Sequence, residues 1–262
     1  MRIYKLLPLI ALSLTLSSCS MFGTLDAIIQ GGLDKAYRMS MPEQEVEKDK
    51  NLAQAMQNFQ QEAANINIHG IPQAFKQCAQ EVSQKYNIPL ALIYAITKHE
   101  SDFNPKSLCY NPCGCRPCKG PRAFTSIDCG ITQDNTMWVI CPYAKKGALR
   151  NLGLSYVGGN CNHLTMPQHF AYCNEVRPIT SDDQSTVNRK ICLSVYLLGE
   201  NLKECIRSYN SWYPKPFNNY YENLAYCYNG WHTTTKKGHK QASAYAKTVM
   251  KILENLTHKI FS

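Results

Sequence analysis

Wherever the apolar residues of this chain recur regularly, their spacing is helical. Phe75, Cys78, Ala79 and Val82 fall at i, i+3, i+4 and i+7, which predicts an amphipathic helix over 73–86. Asn87-Ile88-Pro89 breaks that pattern and offers a favourable start to the next helix. There Leu90, Ile93, Tyr94 and Ile96 keep helical spacing up to Glu100, and Pro105 forces the chain out. The stretches 187–206 and 242–256 read the same way, the latter with Tyr245, Val249, Ile252 and Leu253 turned towards a core. Residues 51–66 favour helix but carry few large apolar anchors, so they read as an exposed helix or spacer. Alternating strand patterns are scarce and no repeat is found, which predicts a mainly α fold.

The first residues, MRIYKLLPLIALSLTLSSC, place two positive charges before a short apolar run. That is the pattern of an export signal and is too short for a bilayer span. Leu16-Ser17-Ser18-Cys19 resembles the bacterial lipobox, in which the leader is cut before the cysteine and the thiol is lipidated. The resemblance implies a signal peptide over 1–18 and an acyl anchor on Cys19, which tethers to a lipid bilayer without spanning it. Ser20, where retention in the inner membrane commonly uses Asp, points to the outer membrane and its periplasmic face. On this reading 19–70 is a lipidated tether and spacer helix, and 71–262 is the folded domain.

Cysteine usage fits export. Setting Cys19 aside, the 13 cysteines leave Cys78, Cys109, Cys113, Cys115, Cys118, Cys129, Cys141, Cys161, Cys173, Cys192, Cys205 and Cys227. An even set in an oxidising compartment reads as up to six disulfides, whose pairing spacing does not give. The four close thiols from Cys109 to Cys118 have a spacing zinc accepts, but export favours disulfides and no metal site is assigned. The formal charge of +9 favours polyanions: nucleic acid, anionic lipid or an acidic wall polymer. Export argues against nucleic acid, and there is no phosphate-cradling glycine loop.

One carboxyl stands out because the predicted helix at 90–100 delivers Glu100 to its end amid apolar neighbours, a setting that raises a carboxyl pKa towards that of a general acid. Its surroundings, Tyr86 to Ile96 followed by His99-Glu100-Ser101-Asp102-Phe103-Asn104-Pro105, resemble the catalytic helix of the soluble lytic transglycosylase family, which ends in Glu-Ser-x-Phe-Asn-Pro. Gly130-Ile131-Thr132-Gln133 resembles that family's Gly-Leu-Met-Gln, and Ala225-Tyr226-Cys227-Tyr228-Asn229-Gly230 resembles its Ala-Tyr-Asn-x-Gly. The resemblance covers roughly residues 71–253. It implies a lysozyme-like catalytic domain in which Glu100 is the catalytic residue, Tyr228 holds it by a hydrogen bond, and Ser101, Gln133 and Asn229 bind substrate. A second pair, Tyr209-Asn210, competes with Tyr228-Asn229 for the supporting role. The 33 positions between Glu100 and Gln133 exceed the family interval, so 109–127 reads as a disulfide-rich insertion.

The implied substrate is the β-1,4 bond between N-acetylmuramic acid and N-acetylglucosamine in peptidoglycan glycan strands. The implied product is the 1,6-anhydro end, formed without metal or organic cofactor. Thr125 to Asn135 also resembles the segment of animal-type lysozymes that ends in Asp-Tyr-Gly-Ile-x-Gln-x-Asn, with Asp128 at the second catalytic carboxylate. Asp128 is therefore either a second catalytic group of a retaining hydrolase or, the reading preferred on sequence, a loop residue in a disulfide-rich turn. His99 reads as an exposed or packed histidine, because adjacent helix positions face different directions. An inactive peptidoglycan-binding lipoprotein is a third alternative, and a cell-envelope or secretion machinery is a conceivable partner.

Overall fold

The computed structural model describes residues 54, 56–59, 70–111, 125–209, 217, 219–230 and 235–258, all within one compact unit, Asp49–Ser262. The segment expected to be a signal, Cys19 and the cysteines Cys113, Cys115 and Cys118 lie outside the described residues, as does Asn210. What is described is mainly helical and disulfide-bonded.

Helix α1, Gln73–Tyr86, starts after Pro72 and stops at Asn87, whose left-handed φ of 53° turns the chain. It buries Phe75, Cys78, Ala79 and Val82, the residues its spacing singled out. Helix α2, Leu90–Ser101, follows Pro89 and buries every residue from Leu90 to Thr97. A helix apolar on all sides must be surrounded, and α2 packs on α1 and on the C-terminal helix.

Three short strands follow: β1, Leu108–Asn111, β2, Ser126–Cys129, and β3, Asp134–Asn135, in an antiparallel sheet of that order. Its register sets Cys109 opposite Asp128, and Asp128 opposite Asn135. A π-helical turn, Thr136–Ile140, leads into α3, Cys141–Lys145, and a capping box of Thr165 and Gln168 starts α4, Met166–Val176. The long helix α5, Gln184–Ser208, is capped by the Asp183 carboxylate accepting from the Thr186 N–H at 2.7 Å. Helices α6, Tyr220–Gly230, and α7, Lys236–His258, complete the chain and pack on each other.

Two apolar cores result. One joins α1, α2, α6 and α7 to the Ile191, Val195, Leu198 and Leu202 face of α5; the other joins the sheet, the π-helical turn, α3 and α4 to its Leu193 and Leu197 face. At Gly199 a Cβ would come within 2.5 Å of Val82 and 2.8 Å of Tyr86, so the absent side chain sets how closely α1 approaches α5. Disulfides Cys78–Cys192 and Cys205–Cys227 tie the helical lobe; Cys129–Cys173 and Cys141–Cys161 tie the sheet lobe. Cys109 is disulfide-bonded as well, which takes it out of a four-thiol zinc set.

Two expectations change. The core reaches further towards the N-terminus than residue 71: Met56 and Phe59 lie one helical turn apart and are buried, and the Phe59 ring meets Tyr94 edge-on at 5.3 Å. Two well-placed anchors were enough to dock a segment that read as a spacer. Asp128, preferred on sequence as a loop residue, is a strand residue in the middle of the sheet.

Candidate functional site

Glu100 lies in the last turn of α2, where the helix ends abruptly. Asp102 and Phe103 take successive left-handed φ values of 51° and 62°, and for a bulky residue such as Phe103 that conformation is an outlier held by its surroundings. Phe103 is buried against Phe75 and Tyr94, so packing in the helical lobe holds the turn that presents Glu100.

The Tyr245 hydroxyl donates to Glu100 Oε1 at 2.6 Å, so the supporting tyrosine is neither of the two that the sequence offered. Tyr228 donates instead to the Thr132 carbonyl at 2.9 Å, and its ring stacks on Tyr245 at 6.4 Å. Tyr209 packs edge-on against Tyr220. Tyr245 was hidden in the apolar stripe of α7: its ring is buried as that spacing demands, while its hydroxyl emerges at the carboxyl. The His99 ring meets Tyr245 edge-on at 4.7 Å, giving a nominally exposed histidine a place beside the same phenol.

Residues 130–135 of the sheet lobe form a wall beside the end of α2 and α6. Gly130 has φ +80°, and a Cβ there would come within 2.9 Å of Ser194 Oγ and the Val176 carbonyl, so only glycine permits this close passage over α5. Ile131 inserts into the helical core, and Ser101 Oγ donates to its carbonyl at 2.5 Å. Ser101 therefore fastens α2 to this wall. Gln133, buried and at φ 52°, donates from Nε2 to the Gly130 carbonyl at 3.0 Å, while its Oε1 has no partner among the described residues. Asn229 is exposed on α6.

Asp128 is held on both oxygens. Asn111 Nδ2 donates to Oδ2 at 2.7 Å and Asn135 Nδ2 to Oδ1 at 2.6 Å, one from each neighbouring strand. The register accounts for this, and sequence spacing could not show it because Asn111 lies inside the 109–127 segment that read as an insertion. A third carboxyl, Asp134, which the sequence reading gave no role, is buried beside Gln133.

These groups act on one another. Burial pushes the Glu100 carboxyl up to about 8; the Tyr245 hydrogen bond works against this, and the charges of Asp128 and Asp134 add to it. Burial also raises Asp128, opposed by its two amide donors, and lifts Asp134 to about 7. Burial and the Glu100 charge hold both Tyr228 and Tyr245 well above the usual phenol range. Burial therefore favours the protonated form of Glu100, the state a general acid requires. Among the described residues no cluster of three or more His, Cys, Asp or Glu side chains could hold a metal ion, and no helix is long and apolar enough to cross a membrane.

No family model matches the chain, and no match is found among curated proteins or solved structures.

Proposed function

We propose that this chain is a lytic transglycosylase with a lysozyme-like domain, lipid-anchored at Cys19 and facing the periplasm, that cleaves the β-1,4 bond between N-acetylmuramic acid and N-acetylglucosamine in peptidoglycan. The observation that carries the reading is Glu100 itself: a carboxyl at a fixed helix end between two lobes, held by Tyr245 at 2.6 Å and kept protonated past neutral pH by burial. Glu100 donates its proton to the leaving glycosidic oxygen while the sugar's own acetamido group stabilises the developing cation. As a carboxylate it then takes the proton of the muramic C6 hydroxyl, which closes on C1 to give the 1,6-anhydro ring. That hydroxyl is already tethered at the reacting centre and outcompetes water by proximity. Tyr245 orients the carboxyl, with Tyr228 packed behind it.

A second reading has its own support. Asp128 sits in the sheet with each oxygen fixed by an amide, and its charge reaches Glu100. Two carboxyls in contrasting environments are what a retaining hydrolase uses, one as acid and the other as nucleophile or stabiliser. Mass spectrometry of soluble products from purified peptidoglycan decides between them. Products one water lighter than reducing muropeptides, lost with Glu100→Gln and retained with Asp128→Asn, are expected for the transglycosylase. Reducing products that need both carboxyls would establish the hydrolase. Absence of products that depend on Glu100 would sink both.

A further inference from the structure

An open cavity of about 480 Å³ lies against α5, lined by the turn from Arg150 to Gly153 together with Arg189 and Cys192. Arg189 and Cys192, three positions apart, share one face of that helix. Ser194 marks a different face, because its Oγ donates to Asp134 Oδ2 at 2.5 Å in the wall beside Glu100. Two positions along a helix of 3.6 residues per turn are about 200° around it, so Cys192 points away from that wall. The cavity is separate from the Glu100 site.

The chain around it is fixed. Leu149, buried in the sheet-lobe core at φ 57°, and Gly153, at φ 88°, bracket the single 3-10 turn Arg150–Leu152 with left-handed residues. Gly153 also makes room, since a Cβ there would come within 2.9 Å of Arg189 Nη1, and Arg150 Nη2 lies 3.5 Å from where a Cβ on Gly147 would stand. Both guanidiniums thus lie along glycine backbone. Apolar surface comes from Leu152, packed on the sheet core, and from Cys192, packed on the helical core and bonded to Cys78.

Neither guanidinium has a hydrogen bond or ion pair among the described residues. Asp182, whose ionisation Arg189 favours, is already engaged by Lys190 Nζ at 2.7 Å and the Ile179 N–H at 2.8 Å. Two cationic forks beside apolar surface suit a planar carboxylate carried on a small apolar body. The volume lies in the small-molecule range of roughly 300–1,000 Å³ and is more than a lone phosphate fills.

We propose that this cavity binds a short peptide by its terminal carboxylate, with Arg150 and Arg189 as the clamp and Leu152 and the Cys78–Cys192 disulfide against the last side chain. That the peptide is a stem of the wall polymer, held here while Glu100 acts on the glycan, rests on the peptidoglycan reading; the carboxylate site does not.

NMR of the disulfide-bonded protein tests it, following the arginine Nε–Hε groups and the amides of 150–153. The probes are N-acetyl-alanyl-alanine in its D and L forms, the carboxamide of each, and inorganic phosphate. Saturable shifts at this cavity are expected with the D dipeptide, weakened by about tenfold or more in the carboxamide and in Arg150→Gln or Arg189→Gln. Both arginines are exposed, so the variants should keep the fold. Absence of saturable binding would overturn the proposal, as would a carboxamide that binds equally or affinity unmoved in Arg189→Gln. Phosphate that binds as tightly as the dipeptide reduces the site to one for any oxyanion and overturns the peptide assignment. Preference for the L form overturns the wall source and keeps the site. The two readings fail separately: dipeptide binding without any Glu100-dependent product defeats the transglycosylase, and Glu100-dependent cleavage without binding here defeats the site.

Discussion

The two lobes solve the problem of stability differently. The helical lobe closes on a core of long apolar side chains, with α2 buried on all sides. The sheet lobe has strands of four, four and two residues and draws much of its core from Cys129, Cys141, Cys173 and the single face of α5 that it shares. Each lobe carries two disulfides among the described residues, but short strands bury too little surface to hold a sheet unaided, so the sheet lobe leans on its ties more heavily than the helical lobe does. Chemistry is divided along the same line. The helical lobe carries Glu100 and Tyr245, the proton donor and its orienting residue on the proposed reading, and the sheet lobe carries Asn111, Asn135, Gln133 and two further carboxyls.

The largest effect should fall on the donor. Glu100→Gln is expected to lower peptidoglycan cleavage by about 10²- to 10⁴-fold, the usual contribution of a positioned general acid. It should also stabilise the fold. Glu100 binds its proton more tightly in the native state, at about 8, than at its ordinary 4.5. Its contribution is therefore fully present below about 4.5 and is lost as pH rises through about 8. The variant lacks this slope and should be more stable at pH 8 by about 1–3 kcal/mol in urea unfolding. Loss of activity together with loss of stability would mark Glu100 as a structural group.

Breaking the sheet lobe's tie is the next test. Cys129 and Cys173 are 44 positions apart, so replacing both with Ala should cost about 4 kcal/mol by loop entropy. Amide exchange should show the lost protection concentrated in β1–β3 and α4, with α2 and α7 protected as before. Equal loss in both lobes would mean that the shared helix α5 makes them one cooperative unit.

The same contrast explains how much could be read from the chain. Helices α1, α2, α5 and α7 were legible because each repeats apolar residues over several turns, and Glu100 was legible because it ends one of them. The strands were not, since two to four residues carry no measurable alternation. Tyr245 was missed because a phenol serving a core and a phenol serving a carboxyl occupy the same apolar position in a helix. Asn111 and Ser194 were missed because their partners are 17 and 60 or more positions away, and only sheet register and helix packing bring them together.

Tyrosine substitutions sharpen the division within the site. Tyr245→Phe removes the hydrogen bond that favours the Glu100 carboxylate, so the alkaline limb of cleavage should move to higher pH while kcat falls about tenfold. Tyr228→Phe touches Glu100 only through the Thr132 carbonyl and ring packing, so its effect should be several-fold smaller. The reverse order would restore Tyr228 as the residue that orients the acid.

The smallest effect tests the seam. Ser101 looked like a substrate ligand from its motif, but its hydroxyl donates to the Ile131 carbonyl and so links the end of α2 to the wall that carries Gln133 and Asp134. Ser101→Ala should cost about 0.5–1.5 kcal/mol, the net worth of one hydrogen bond, and leave KM within about twofold. A rise in KM of tenfold at unchanged stability would mean that Ser101 turns from Ile131 to substrate. In that case the end of α2 would be released from the 130–135 segment when substrate binds, leaving the packing of Ile131 and the hydrogen bond from Tyr228 to the Thr132 carbonyl to join the lobes.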